Sequence, residues 1–335
     1  MSTLEPRNII NKEYDQSELI VTLIDNLVWP LLFVVFISFT LLLPETFLTT
    51  NNIQFLLFSA AALGMIALAE SICLISGNFD LSVGSIAGFS AMFTGTFMAQ
   101  WFPSTPGLVG IALILIVGGF IGLLNGLSIS YLGVNPFLQT LAFLMIFQGG
   151  ILVISNSSQS SLPESYTFIG GGTVLGGFPF AILLMLGVYA LFGIILKYSR
   201  FGAKVYAVGG NETAAEGAGI NTKRVIVYVY IISGVLSALG GLLFTGFLGA
   251  ATPTLGENAL FPAFAAAVIG GISMFGGRGK VIGALGGVLL LGTIEAGLVM
   301  LRVDPNTIET TTGLVLLGAI LLYTYMEKYR SRLLS

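Results

Sequence analysis

Three carboxylates stand in stretches that otherwise read as hydrocarbon. Glu70 lies in "AALGMIALAESICLI", Asp80 in "SGNFDLSVGS" and Glu295 in "LGTIEAGL". Ionisable groups in such surroundings are costly, and they mark solute or ion pathways, proton relays, or neutral acids hydrogen-bonded to a neighbouring helix. Asp80 is bracketed by Gly77, Asn78, Ser82 and Gly84, which admits two chemistries. It can cap a helix starting near Leu81 by accepting the amides of Ser82 and Val83, or it can contact a solute as a charged gate. Other chemistries are closed. The chain has no histidine, so imidazole metal sites and the usual triad base are absent. Its single cysteine, Cys73, excludes an intramolecular disulfide.

The elements that must position these residues are membrane helices. Of 335 residues, 55% are hydrophobic and 9% charged, against about a quarter charged in soluble domains, and the mean hydropathy is +0.96. A bilayer core takes about 20 apolar residues per helix. On that ruler apolar runs fall near 27–48, 53–76, 84–101, 108–132, 136–155, 178–197, 225–248, 260–275, 281–301 and 308–326. The expected fold is therefore an all-α polytopic membrane protein of about ten spans. The eighth run is short and contains Pro262.

An even span count places both termini on one side. That side then holds Arg7, Lys12, Lys197, Arg200, Lys204, Lys223, Arg224, Arg278, Lys280, Lys328, Arg330 and Arg332, leaving Arg302 alone outside. Such a partition makes it the cytoplasmic side. The first 26 residues, polar and acidic, carry no secretory signal and read as a cytoplasmic N-terminal segment. Residues 27–326 form the membrane domain and 327–335 a cytoplasmic tail. Gly118, Gly122 and Gly126 recur every four residues, as do Ser233, Ser237 and Gly241, a spacing that lets helix backbones approach closely.

The longest inside loop, residues 197–224, reads "KYSRFGAKVYAVGGNETAAEGAGINTKR". Asn211 can cap a short helix whose first turn holds Glu212, and Gly219 can end it. A helix lying on lipid headgroups bears bulky apolar residues along one face. This one offers alanine, glycine and threonine, a small flat face suited to docking a cytoplasmic partner. "GGRGK", Gly276 to Lys280, is no phosphate loop: Met274 stands at the first glycine position and Val281 follows the lysine.

"FDLSVGS", "RFGAKVYAVGGNETAAEGAGI" and "AAAVIGGISMFGGRGKVIGALGG" closely resemble three segments of ABC-importer permeases of the ribose, galactose and autoinducer-2 class. The similarity runs from about residue 52 to 325. The resemblance implies that Gly210, Asn211, Glu212, Ala214, Ala215, Gly219 and Ile220 form the coupling helix that docks on the ATPase. It also implies a separate ATPase with two nucleotide-binding modules, carrying ATP and Mg, so this chain needs no cofactor and catalyses nothing. An extracytoplasmic solute-binding protein would deliver the solute, meeting the polar loop 155–172. A second permease copy or a paralogue would complete the pathway in the cytoplasmic (inner) membrane of a prokaryote. Lipid surrounds such a protein, and nucleic acid has no place in it.

A sugar route needs directional hydrogen bonds or a smooth polar lining. Candidates are Glu70, Asp80, Asn125, Asn135, Gln139, Gln148, Thr293 and Glu295, with Phe137 and Phe264 available to stack on sugar faces. Each polar residue can equally bridge two helices. The chain departs from the family at three points. Gly77-Asn78-Phe79-Asp80 replaces Gly-Gly-Ile-Asp, Glu295 replaces the first residue of an asparagine pair, and Leu260-Phe261-Pro262 replaces Glu-Leu-Asp. The last change moves the outer acidic site to Glu257 and Asn258 or signals a different solute. Two other functions stay open: a sister permease for branched-chain amino acids or nucleosides, and a proton-coupled secondary transporter using Glu70 and Glu295.

Overall fold

The computed structural model describes residues 26–174 and 176–333. The expected cytoplasmic segment 1–26 lies outside the described residues except for Asn26.

Apolar runs become helices throughout. α1 spans Val28–Leu42, α2 Thr50–Ile75 and α3 Val83–Thr96, the last continued by a π-helical turn, Phe97–Trp101. α4 (Gly107–Leu132) and α5 (Pro136–Ile154) are followed by a short helix, α6 (Glu164–Gly171). An antiparallel hairpin then pairs β1 (Thr173–Val174) with β2 (Phe178–Pro179), Thr173 opposite Pro179. α7 (Phe180–Tyr198), α8 (Arg200–Gly210) and α9 (Glu212–Gly217) lead into α10 (Thr222–Leu248), α11 (Leu260–Ile269), α12 (Val281–Met300) and α13 (Pro305–Leu333). Among the described residues, α2, α4, α5, α7, α10 and α12 are long and apolar enough to cross a membrane. The 260–275 run yields only the ten-residue α11, because a glycine turn at Gly270 and Gly271 (φ +82°) closes it early.

α2 is the central post. Its most apolar stretch is 89% buried, surrounded by α3, α7, α10, α11 and α12. A membrane-buried helix enclosed by other helices is apolar on every side, which is how "AAALGMIALA" reads. α10 lies along α4 over most of its length. The glycine stripe of α4 explains the closeness: a Cβ on Gly118 or Gly122 would strike the carbonyl oxygen of Gly234 or Tyr230, and one on Gly126 would stand 2.8 Å from the Val227 Cα. At the rim, α5 exposes Leu138, Met145, Ile146 and Val153.

The loop after α5 is held down rather than free. Gln159, buried, bridges Ala251 through paired backbone hydrogen bonds and accepts from Gln100 Nε2 at 2.9 Å. α6 then packs on α10 with Tyr166 fully enclosed. Within the expected docking loop 155–172, residues 156–158, 160–161, 164–165, 168 and 171 are exposed, while Gln159, Tyr166 and Gly170 are buried.

Candidate functional site

α2 ends because Gly77 takes φ +77°, a left-handed conformation that glycine adopts without cost. The closing bonds run from Gly77 N to Leu74 O and from Asn78 N to Cys73 O. The chain then crosses a break, residues 76–82, before α3 begins. Asn78 folds back, its Nδ2 donating to the Ser76 carbonyl and hydroxyl at 3.1 Å. The Phe79 carbonyl accepts the Tyr230 hydroxyl at 2.7 Å.

Asp80 is fully enclosed and tied from two sides. Its Oδ1 accepts the Ser82 amide at 3.1 Å and the Ser82 hydroxyl, while Oδ2 accepts the Ser233 hydroxyl of α10 at 2.8 Å. Asn125 Nδ2, from α4, donates to the same Ser82 hydroxyl at 3.0 Å. The helix starts at Val83 rather than near Leu81, and Asp80 accepts the Ser82 amide but not that of Val83. Asp80 is thus a clamp among α3, α4 and α10 more than an N-cap. Glu70, one and a half turns before the end of α2, faces the Asp80 backbone. Neither of its carboxylate oxygens makes a hydrogen bond of ordinary geometry. The Ser82 amide was expected on Asp80 and is found there; the Ser82 hydroxyl, Ser233 and Tyr230 were not expected in this cluster. Ser233 had a signal, its place in the small-residue stripe of α10, but that stripe reads equally as helix contact.

The loop 197–224 carries two helices, not one. Ser199 Oγ caps α8 by accepting the Gly202 amide at 3.0 Å. Asn211 Oδ1 caps α9 by accepting the Ala214 amide at 2.9 Å. Gly219, at φ +82°, ends α9, and the Ile220 amide bonds back to the Ala215 carbonyl at 3.0 Å. That fold-back turns Ala215 inward, 4% exposed. Of the residues expected on the docking face, it is the buried one. Asn211, Glu212, Ala214 and Gly219 are exposed, Gly210 with them, and Ile220 is half-buried against the core. Glu216 Oε1 accepts the Thr222 hydroxyl at 2.8 Å, joining α9 to the start of α10.

The family described as "Branched-chain amino acid transport system / permease component" matches residues 52–325. The chain belongs to this permease family. It is 36% identical over 288 residues to the D-allose transport system permease protein of Escherichia coli strain K12, covering 85% of this chain and 87% of that protein. Against the ribose import permease protein of Bacillus subtilis strain 168 the identity is 38% over 295 residues, 87% of this chain and 90% of the relative. The autoinducer 2 import system permease protein of Klebsiella pneumoniae is 32% identical over 288 residues, 83% and 84% of the two chains. No solved structure gives a significant match. The resemblance carried by three short segments thus extends over nearly the whole membrane domain. The permease is a multi-pass membrane protein and a transport subunit, not an enzyme.

In this permease the remaining candidates are scattered. Glu70, Asp80 and Asn125 come together; the others do not join them. Asn135 caps α5, accepting the Phe137 and Leu138 amides at 3.0 and 3.4 Å. Gln139 and Gln148 are half-buried on α5. Thr293 is buried and bonds back to the Leu289 carbonyl at 2.7 Å, which leaves it no free hydrogen for a solute. Glu295 faces outward from α12, and Glu257 and Asn258 are exposed in the turns before α11. Phe264 stacks on Phe79 with centroids 6.1 Å apart, while Phe137 is exposed. A cavity of about 410 Å³ opens where α4 ends and α5 begins, with Asn78, Ser130, Asn135, Glu212 and Lys223 in its wall.

Proposed function

We propose that this chain is the membrane subunit of an ATP-driven importer for a monosaccharide or a closely related small polar solute. The observation that carries it is similarity along most of both chains to the D-allose and ribose permeases. The family's description names branched-chain amino acids, and a solute of that class, or a nucleoside, is the second reading. The relatives are matched at finer grain than the family, so the sugar reading stands first.

In this reading about ten apolar runs build the domain in the inner membrane of a prokaryote, with α11, ten residues and about 15 Å long, reaching only part-way across. Both termini lie in the cytoplasm, as the partition of lysine and arginine supports. ATPase subunits dock on the exposed face of α9, an extracytoplasmic binding protein delivers the solute, and a second permease copy or paralogue completes the pathway. Glu295, Gln139 and Gln148 lie on faces that this chain leaves uncovered or half-covered, as pathway residues between two copies would. The cavity beside Asn78 and Asn135 offers a polar way out on the cytoplasmic side. A proton relay through Glu70 and Glu295 has less support, since Glu70 is sealed inside the helix bundle and Glu295 faces out of it.

The deciding experiment is a thermal shift of the binding protein that co-purifies with the permease, run against pentoses, hexoses, polyols, nucleosides and amino acids. Ligand at 100 times its Kd stabilises a protein by about 2.7 kcal/mol. Stabilisation by one sugar is the expected result. Stabilisation by leucine or a nucleoside alone would overturn the sugar reading and leave the importer architecture standing.

A further inference from the structure

At the inner end of α2 three segments meet through backbone alone. The Gly277 amide donates to the Ile75 carbonyl at 2.8 Å. A Cβ on Gly209 would collide with that same carbonyl oxygen and stand 2.6 Å from the Gly277 nitrogen. One on Gly276 would stand 2.5 Å from the Gly209 oxygen and 2.7 Å from the Gly77 Cα. Glycines therefore bring the end of α2, the end of α8 and the turn between α11 and α12 into contact. A second tie runs beside the first: the Tyr206 hydroxyl of α8 donates to the Gly279 carbonyl at 2.8 Å. Burial pushes the Tyr206 phenol above its ordinary value, so the hydroxyl stays a donor.

The break at 76–82 is gripped at its other end too. Tyr230 and Ser233, which hold Phe79 and Asp80, lie on α10. α8 and α10 are the helices on either side of α9. Both grips on the break thus belong to the arms of one loop. Side chains absorb a small displacement by changing rotamer, whereas backbone packed on backbone has no such freedom and passes the displacement on. Small residues at a static helix crossing would explain close approach, but not why the two arms of one loop hold the two ends of one break.

We propose that the joint of Gly77, Gly209, Gly276 and Gly277, with Tyr206 beside it, is the positioning element that carries movement of α9 into the Asp80 break during transport. This rests on the reading of α9 as the ATPase-docking helix.

The test uses the whole transporter, permease with ATPase subunits and binding protein, in proteoliposomes. ATP hydrolysis and uptake of D-ribose or D-allose, whichever the wild type imports, are measured together. In Gly209→Ala, uptake per ATP hydrolysed should fall about tenfold while hydrolysis continues. In Tyr206→Phe, which adds no bulk and so keeps the test alive should Gly209→Ala fail to assemble, it should fall several-fold. Gly187→Ala, at an exposed α7 glycine where a Cβ meets nothing within 4 Å, should leave the ratio unchanged. An unchanged ratio in Tyr206→Phe, with uptake and hydrolysis falling in proportion or not at all, overturns the joint. A wild type that imports neither sugar with ATP would instead overturn the functional reading beneath it.

Discussion

Asp80 and Glu70 are neighbours, both with no exposed surface, and the protein treats them in opposite ways. Asp80 sits in a break between helices, where a free amide and two hydroxyls converge on its oxygens from Ser82, just before α3, and from α10. Glu70 sits inside α2, where every backbone amide is already spent on the helix, and no side chain reaches either of its oxygens. Burial is the same; the donors differ. Acidity inside a membrane protein therefore does not by itself mark the working residue. A carboxylate that several elements have been arranged to hold is the one whose loss disturbs geometry.

The sharpest way to break this contrast is Asp80→Ala. It leaves three donors, two on Ser82 and one on Ser233, without their acceptor, and each buried donor left unsatisfied costs about 1–3 kcal/mol. We expect a loss of at least about 3 kcal/mol, read as a lowered Tm in detergent, together with loss of uptake. An Asp80→Ala protein as stable as wild type would mean that the clamp is not what holds the break. Asp80→Asn keeps an acceptor for the Ser82 amide and should recover part of the loss.

A smaller effect is expected from Ser233→Ala, which removes one of the three donors and should cost roughly 1.5 kcal/mol. Its value lies in the double mutant. If Ser233 acts only through Asp80, Ser233→Ala in the Asp80→Ala background should be nearly silent, giving a coupling energy of about 1 kcal/mol or more. Strict additivity of the two Tm shifts would separate Ser233 from the clamp.

How far this contrast could be read beforehand follows from the range over which each feature is determined. Helix positions are set by local hydropathy, and the α4 stripe Gly118, Gly122 and Gly126 already announced a close neighbour, found in α10. The Asn211 cap and the Gly219 stop depend on residues within a turn or two and were equally legible. The clamp was not, because Ser233 lies 153 residues from Asp80 and a serine in a helix gives no sign of which carboxylate it will meet. Nor was the inward turn of Ala215, which depends on how Ile220 folds back after the helix ends. α8 was hidden for another reason: Ser199 and a single glycine-containing turn look like loop until the packing of Val205 and Val208 is seen.

Glu70→Gln is the mildest change and the one that tests the other half of the contrast. The glutamine side chain has nearly the same volume, so the enclosed space around residue 70 stays filled and no cavity term arises. No hydrogen bond of ordinary geometry is broken, and a glutamine oxygen can face the Asp80 backbone as the carboxylate does. The substitution also removes any possibility of a buried charge, whose cost grows when no donor answers it. Stability should therefore stay within about 0.5 kcal/mol of wild type, less than a single lost hydrogen bond, and ATP-driven uptake should persist. Were uptake abolished in a Glu70→Gln protein of unchanged Tm, the exchange of a proton at residue 70 would be part of transport. Glu70, not Asp80, would then be the carboxylate on which the cycle depends.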